Sequence, residues 1–177
     1  MGKSKSYGMN TKALHANKKF EPISGDIMPP LHLSTTYKND VPGESEYFYG
    51  RVNNPTRELF ERTLASLEGI ENYEEIHALA MASGMSAVSL IAELVKPGEN
   101  VVITKDVYGG TTNYFSKIVT ERGVEVNFCD FSDTEKLKSL LNDKTKLAWI
   151  ESPSNPSINL YDLSKTAEIV HENGTFL

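Results

Sequence analysis

The sequence predicts an α/β domain built on a mostly parallel sheet with helices on both faces, preceded by an extended arm. Two observations carry this. From about residue 56 onward, short apolar runs rich in β-branched residues alternate with stretches of helical periodicity. Residues 1 to 55 instead show little periodicity and many chain punctuators, among them Pro22, Gly25, Pro29, Pro30, Pro42 and Gly43. Two regions are therefore expected, an arm over 1–55 and a domain over 56–177. The arm's apolar patches, Ile27 to Leu31 and Leu33 to Tyr37, need another surface to cover them.

The elements follow in order. Asn54 suits a helix cap and Pro55 its first position, with Leu59, Phe60, Thr63, Leu64 and Leu67 at helical spacing up to a stop at Gly69. Ala78 to Ala82 reads as a short strand, and Ser86 to Val95 as an apolar helix stopped by Lys96-Pro97-Gly98. Asn100 to Thr104 is a strand, Thr111 to Arg122 a helix ended by Gly123, and Val124 to Phe128 the next strand. Asp133 to Asn142 places Leu137, Leu140 and Leu141 on one helix face, Lys146 to Glu151 is a buried strand, and Tyr161 to Asn173 is a helix stopped by Gly174. Thr175-Phe176-Leu177 reads as the opening of one more strand. Strands and helices in this alternation imply βαβ units, whose ligands sit at the carboxyl ends of the strands.

Composition narrows the partners. Eighteen basic against twenty-four acidic residues give a net charge of −6 distributed along the chain, which argues against nucleic acid or an anionic membrane and for a small molecule or another protein. A lone cysteine, Cys129, rules out an internal disulfide and fits a reducing compartment, so the cytoplasm is the expected location. Met1-Gly2-Lys3-Ser4-Lys5-Ser6 matches the loose N-myristoylation pattern, but reads more simply as a disordered basic tip.

Four segments carry candidate chemistry. Ser83-Gly84-Met85 lies where a strand turns into a helix, so unpaired backbone N–H groups there can bind an anion, with Gly84 permitting close approach and Ser83 adding a hydroxyl. Tyr49 and Arg51, two apart in extended chain, can face the same way and offer a phenol and a planar guanidinium to phosphate oxygens. Asp106-Val107-Tyr108-Gly109-Gly110 follows a strand and presents a ring able to stack on a flat heterocycle. Glu151-Ser152-Pro153-Ser154-Asn155-Pro156 follows the next strand, with Asn155 presenting an amide between two stiffening prolines. Each alone also fits an ordinary turn or a solvated side chain; their agreement on one side of the sheet points to a phosphorylated, ring-bearing ligand.

Taken with Pro29-Pro30-Leu31-His32-Leu33-Ser34-Thr35-Thr36-Tyr37 and Tyr49-Gly50-Arg51-Val52-Asn53-Asn54-Pro55-Thr56-Arg57, these segments resemble the family of cystathionine synthases and lyases and methionine γ-lyases, from about Thr11 onward. The resemblance implies the large domain of a type I, aspartate aminotransferase-like, pyridoxal 5'-phosphate enzyme, here truncated. It implies a carbon–sulfur lyase of transsulfuration acting on a cystathionine-like amino acid, most similar to the eukaryotic cystathionine γ-lyases, in a homotetramer built from dimers. By position, Gly84 and Met85 resemble the backbone donors to the cofactor phosphate, and Tyr49 and Arg51 the pair that reaches the phosphate in a neighbouring subunit. Tyr108 resembles the tyrosine that stacks on the pyridine and assists catalysis, and Asn155 the asparagine near the ring oxygen. Gly50 and Asn53 depart from the family's usual residues, as changes expected to be tolerated. The family's aspartate at the pyridine nitrogen, its Schiff-base lysine and its substrate-binding arginine would all fall past Leu177. A fragment or a shortened isoform inactive on its own is therefore expected, and Lys105 reads as an exposed lysine rather than a substitute. An interaction protein docking on a full-length subunit is the rival; a nucleotide-binding βαβ domain is disfavoured because no G-x-G-x-x-G or Walker loop occurs.

Overall fold

In the computed structural model of the chain, residues 7–15, 28–41, 43–70 and 77–177 are described. The Met1–Ser6 tip, Pro22, Gly25, Ile27 and Pro42 lie outside them. The chain divides into two compact units, Met1–Ala80 and Met81–Leu177.

The first unit holds two helices, α1 (Met9–His15) and α2 (Pro55–Leu67). The Asn54 side chain accepts hydrogen bonds from the N–H groups of Thr56 and Arg57 at 2.8 and 3.4 Å, and Pro55 occupies the first turn, so α2 starts where the sequence puts it. Its buried face is not the one expected. Glu58, Glu61, Ala65 and Ser66 are buried, whereas Phe60 is 55% exposed and Leu64 41%. The carboxylates can be buried because they are paired: Glu58 accepts from Tyr47 Oη and from Arg62 Nε, each at 2.6 Å. Glu61 accepts the Ala80 N–H at 2.8 Å. That last bond also explains a correction to the strand expected over Ala78 to Ala82. Residues 77–81 form no strand, because a strand persists only when its backbone groups pair with a neighbour, and here an N–H goes to a side chain. The arm residues 28–41 are irregular, with bends at Met28, Thr35, Asp40 and Val41, and meet the following segment in one antiparallel bridge, Thr36 to Tyr49, with Gly50 N–H donating to Thr35 O at 2.8 Å. A Cβ on Gly50 would stand 2.7 Å from Ser34 O, so this approach requires glycine.

The second unit is the expected sheet. Strands β1 (Asn100–Thr104), β2 (Glu125–Cys129) and β3 (Thr145–Trp149) pair in parallel in the order β2-β1-β3. The chain returns towards the same sheet at its end: Phe176 bridges Leu147 in parallel, as expected of the Thr175–Leu177 segment. Central β1 is buried throughout, and its alternation sends Val101 and Ile103 to one face and Val102 to the other. On the first face lie α3 (Gly84–Ala92), which contributes Val88 and Ala92, and the helical stretch after β1, which contributes Phe115 and Val119. On the second lie α5 (Thr134–Leu140) and α6 (Leu163–Glu172), which contribute Leu137, Ile169 and Val170. Full burial of each such aliphatic side chain stabilises by roughly 1.5–3 kcal/mol.

The helix expected over Thr111 to Arg122 is one helical stretch with three pitches: α4 (Gly109–Asn113), a π-helical segment (Tyr114–Val119) and a 3₁₀ turn (Thr120–Arg122). Gly123 ends it in the left-handed region at φ 83°, as Gly174 ends α6 at φ 73°.

Candidate cofactor site

The strand order fixes where a ligand fits. The chain leaves β1 for β2 on one side and then crosses to β3 on the other, so the order reverses between β1 and β3, and in open parallel sheets ligands sit outside the carboxyl ends of strands at such a reversal. The two loops leaving that edge are those that carry Tyr108 and Asn155.

At the start of α3, Ser83 caps the helix: its Oγ accepts from Ser86 N at 3.1 Å and lies 2.9 Å from Ser86 Oγ. Gly84 and Met85, as the first two helical residues, have no intrahelical acceptor for their N–H groups. Gly84 is exposed, and a Cβ there would meet nothing within 4 Å, so the surroundings of Gly84 leave room for a ligand. Two free backbone donors at the positive end of a helix suit a phosphate.

Tyr108 stands at the head of α4 with its side chain about half exposed. Its position is set from two sides. Its N–H donates to Glu151 Oε2 at 3.0 Å, while Thr111 Oγ1 lies at a longer 3.5 Å from Glu151 Oε1. Its ring lies against Gly110, where a Cβ would be 2.4 Å from Tyr108 Cε1 and 3.0 Å from Met85 Sδ. Gly110 is therefore the point where the tyrosine ring and the start of α3 converge, which brings Met85 and Tyr108 together.

Asn155 is exposed, in a loop tied internally by Ser154 N to Asn159 O at 2.9 Å and Asn159 N to Ser154 Oγ at 2.9 Å. This loop is fastened to the preceding one by Asp106, whose carboxylate accepts from Ser154 Oγ, from Ser157 Oγ at 3.2 Å and from Asn159 Nδ2 at 2.8 Å. Asp106 and Glu151 belong to the sequence motifs, but the sequence reading gives them no role. The available signal is an acidic residue at or just beyond each strand's end, Asp106 facing the serine and asparagine donors of the later loop and Glu151 the Tyr108 N–H and Thr111 hydroxyl of the earlier one.

Lys105 is held at 3.1 Å by Asp130 and is exposed, so its ammonium is engaged in an ion pair. Hydrogen bonds from Ser132, and then from Lys105, hold the Asp130 carboxyl down at about 2. Tyr49 and Arg51 belong to the first unit, where residues 50–52 form a turn closed by Val52 N–H to Tyr49 O at 2.9 Å instead of the extended chain expected; the turn still brings the Arg51 guanidinium to 5.0 Å from the Tyr49 ring centroid. A cleft of about 490 Å³ in the same unit is lined by Pro29, His32, Tyr47, Glu58 and Arg62 among others, and includes none of the site residues expected from the sequence.

A parallel α/β sheet with a capped helix start and two hydrogen-bonded loops beyond the carboxyl ends of β1 and β3 places the candidate residues Gly84, Met85, Tyr108 and Asn155 in one unit. The chain belongs to the Cys/Met metabolism PLP-dependent enzyme family, whose profile matches residues 10–177. It is 40% identical over 171 residues to a cystathionine β-lyase of Coxiella burnetii, covering 96% of this chain and 43% of that protein. It is 39% identical to the cystathionine γ-lyase of Mus musculus, covering 94% and 41%. Among solved structures, a cystathionine γ-lyase of Micromonospora echinospora superposes with a TM-score of 0.85 at 36% identity, covering 96% of this chain and 44% of the other. The chain thus spans less than half the length of the relatives it matches.

Proposed function

We propose that this chain is the part of a pyridoxal-phosphate-dependent carbon–sulfur lyase that grips the cofactor's phosphate and ring, the whole protein acting on cystathionine-like thioethers. The observation that carries the reading is the meeting of the α3 start with the Tyr108 loop at Gly110, at a sheet switch point, in a chain of this family. Cleavage at the γ-carbon is the favoured reaction, since relatives named cystathionine γ-lyase come from mouse, cattle and Dictyostelium discoideum.

The donor set suits the cofactor. Gly84 and Met85 would hold the phosphate through their N–H groups, Tyr108 would stack on the pyridine, and the Asn155 amide would donate to the ring oxygen. When bound, pyridoxal phosphate supplies an electron sink for charge developing at the substrate's α-carbon. The chain's own contribution is orientation and proton handling, with the half-exposed Tyr108 phenol able to hold or pass a proton at its Oη. Tyr49 and Arg51 would reach the phosphate held by a neighbouring copy, through a shared site in a homotetramer formed from dimers. No described helix is long and apolar enough to cross a membrane, and a cytoplasmic location is part of the proposal.

The motifs that carry the resemblance include no counterpart of a Schiff-base lysine, and Lys105 is tied to Asp130. The 177-residue chain is therefore expected to bind pyridoxal phosphate without turning over cystathionine. A visible-absorbance titration and an assay for 2-oxobutanoate and cysteine check both halves. Product above a no-enzyme control would contradict the second.

A further inference from the structure

The loops that follow β1 and β3 exchange carboxylates. Asp106, just beyond the end of β1, accepts from Ser154, Ser157 and Asn159 of the later loop. Glu151, just beyond the end of β3, accepts the Tyr108 N–H of the earlier loop. The contacts join residues 43 to 53 positions apart, so neither loop's local sequence can supply them. Between the Asp106-bonded residues sits Ile158, at φ 56° and exposed, a conformation that β-branched residues avoid. Within the turn, Ile158 N–H donates to Ser154 O at 3.1 Å and Ser154 N–H to Asn159 O at 2.9 Å, and the turn as a whole is anchored from outside. Ser157 and Asn159, which flank it, and Ser154 at the start of the turn all bond to Asp106.

We infer that Asp106 is a positioning residue: with Glu151 it forms a reciprocal clasp that makes the two loops one body and so sets Asn155 relative to Tyr108. The inference rests on the cofactor reading above for its consequence, and on the hydrogen bonds alone for the clasp. A carboxylate accepting three side-chain donors is a strong tie, because bonds to a charged acceptor are worth about twice those between neutral groups. Without it Asn155 remains in the chain but no longer has a fixed place over the switch point.

The test uses the full chain and three variants, Asp106→Ala, Asp106→Asn and Asn159→Ala. The last alters an exposed side chain and keeps the comparison usable if an Asp106 variant does not fold. Amide hydrogen exchange without ligand is read first. Exchange in peptides spanning 152–160 is expected to quicken by roughly ten-fold or more in Asp106→Ala, less in Asn159→Ala, with β1 and β3 unchanged. Affinity for pyridoxamine 5'-phosphate is then expected to fall by about ten-fold in Asp106→Ala, while affinity for inorganic phosphate, which needs only the α3 start, stays the same. Unchanged exchange over 152–160, or unchanged pyridoxamine 5'-phosphate affinity in a variant whose exchange has risen, overturns the inference. Failure of the unaltered chain to take up pyridoxamine 5'-phosphate defeats the cofactor reading instead, and with it the clasp's proposed purpose, while the exchange data still decide whether the loops are clasped.

Discussion

Gly110 has no side chain, and that absence lets the Tyr108 ring and the Met85 thioether pack over the start of α4. Gly110→Ala separates two effects that pull apart. Alanine favours a helix over glycine by about 0.5–1 kcal/mol, and the atoms it would strike are the ends of movable side chains. Stability is therefore expected to hold or rise slightly in a thermal melt, while affinity for pyridoxamine 5'-phosphate falls by several-fold as the ring is pushed aside. Cys129 gives a prediction about pH. Burial, opposed in part by Lys136, lifts its thiol to about 11. A folded-state value raised above the unfolded one means that the stability it contributes is complete below about 9 and declines as pH climbs towards about 11. Urea midpoints should thus drop across that window, and a Cys129→Ala chain should lose part of that drop. At neutral pH the thiol should resist alkylation until the chain unfolds. Gly84, Tyr108 and Asn155 could be picked out as candidates at this scale because they sit in turns whose chemistry is local, and their facing a cofactor is the proposal made above. Asp106 and Glu151 were not assigned, since their partners are far away in the sequence and their value lies in geometry.

Elements bounded by local signals came out as read: Asn54 with Pro55 opens α2, Gly123 and Gly174 close helices, and β1 lies where its β-branched run lies. Asn54→Ala should cost about 1 kcal/mol of stability through the lost cap. It also loses the bond from Asn54 Nδ2 to His32 O at 3.0 Å, so a value at the upper end of the usual range of about 0.5–2 kcal/mol is expected from denaturant titration. Two elements departed from the reading for reasons local pattern cannot supply. Residues 78–82 are apolar, but a strand needs a partner, and the Ala80 N–H bonds to Glu61. The α2 periodicity marked Phe60 and Leu64 among its apolar positions, yet paired Glu58 and Glu61 occupy the buried side, helped by Arg62 on the same helix and by Tyr47 and the Ala80 N–H from elsewhere in the unit. The π-helical Tyr114–Val119 likewise leaves no mark in hydrophobic spacing.

For the whole molecule, the alternation of strands and helices was enough to give a parallel sheet covered on both faces, and the order β2-β1-β3 added what the sequence could not, the place where the strand order reverses. The central claim is that the α3 start holds a phosphate while the clasped loops after β1 and β3 hold the attached ring. Isothermal titration of the chain with pyridoxamine 5'-phosphate, beside unphosphorylated pyridoxamine, tests it most directly, because an amine cannot condense with surface lysines. Saturable one-site binding of the phosphate ester, at least ten-fold tighter than that of either pyridoxamine or inorganic phosphate alone, is the predicted result. Equal affinity for pyridoxamine with and without its phosphate, or no binding of the ester at millimolar concentration, would contradict it.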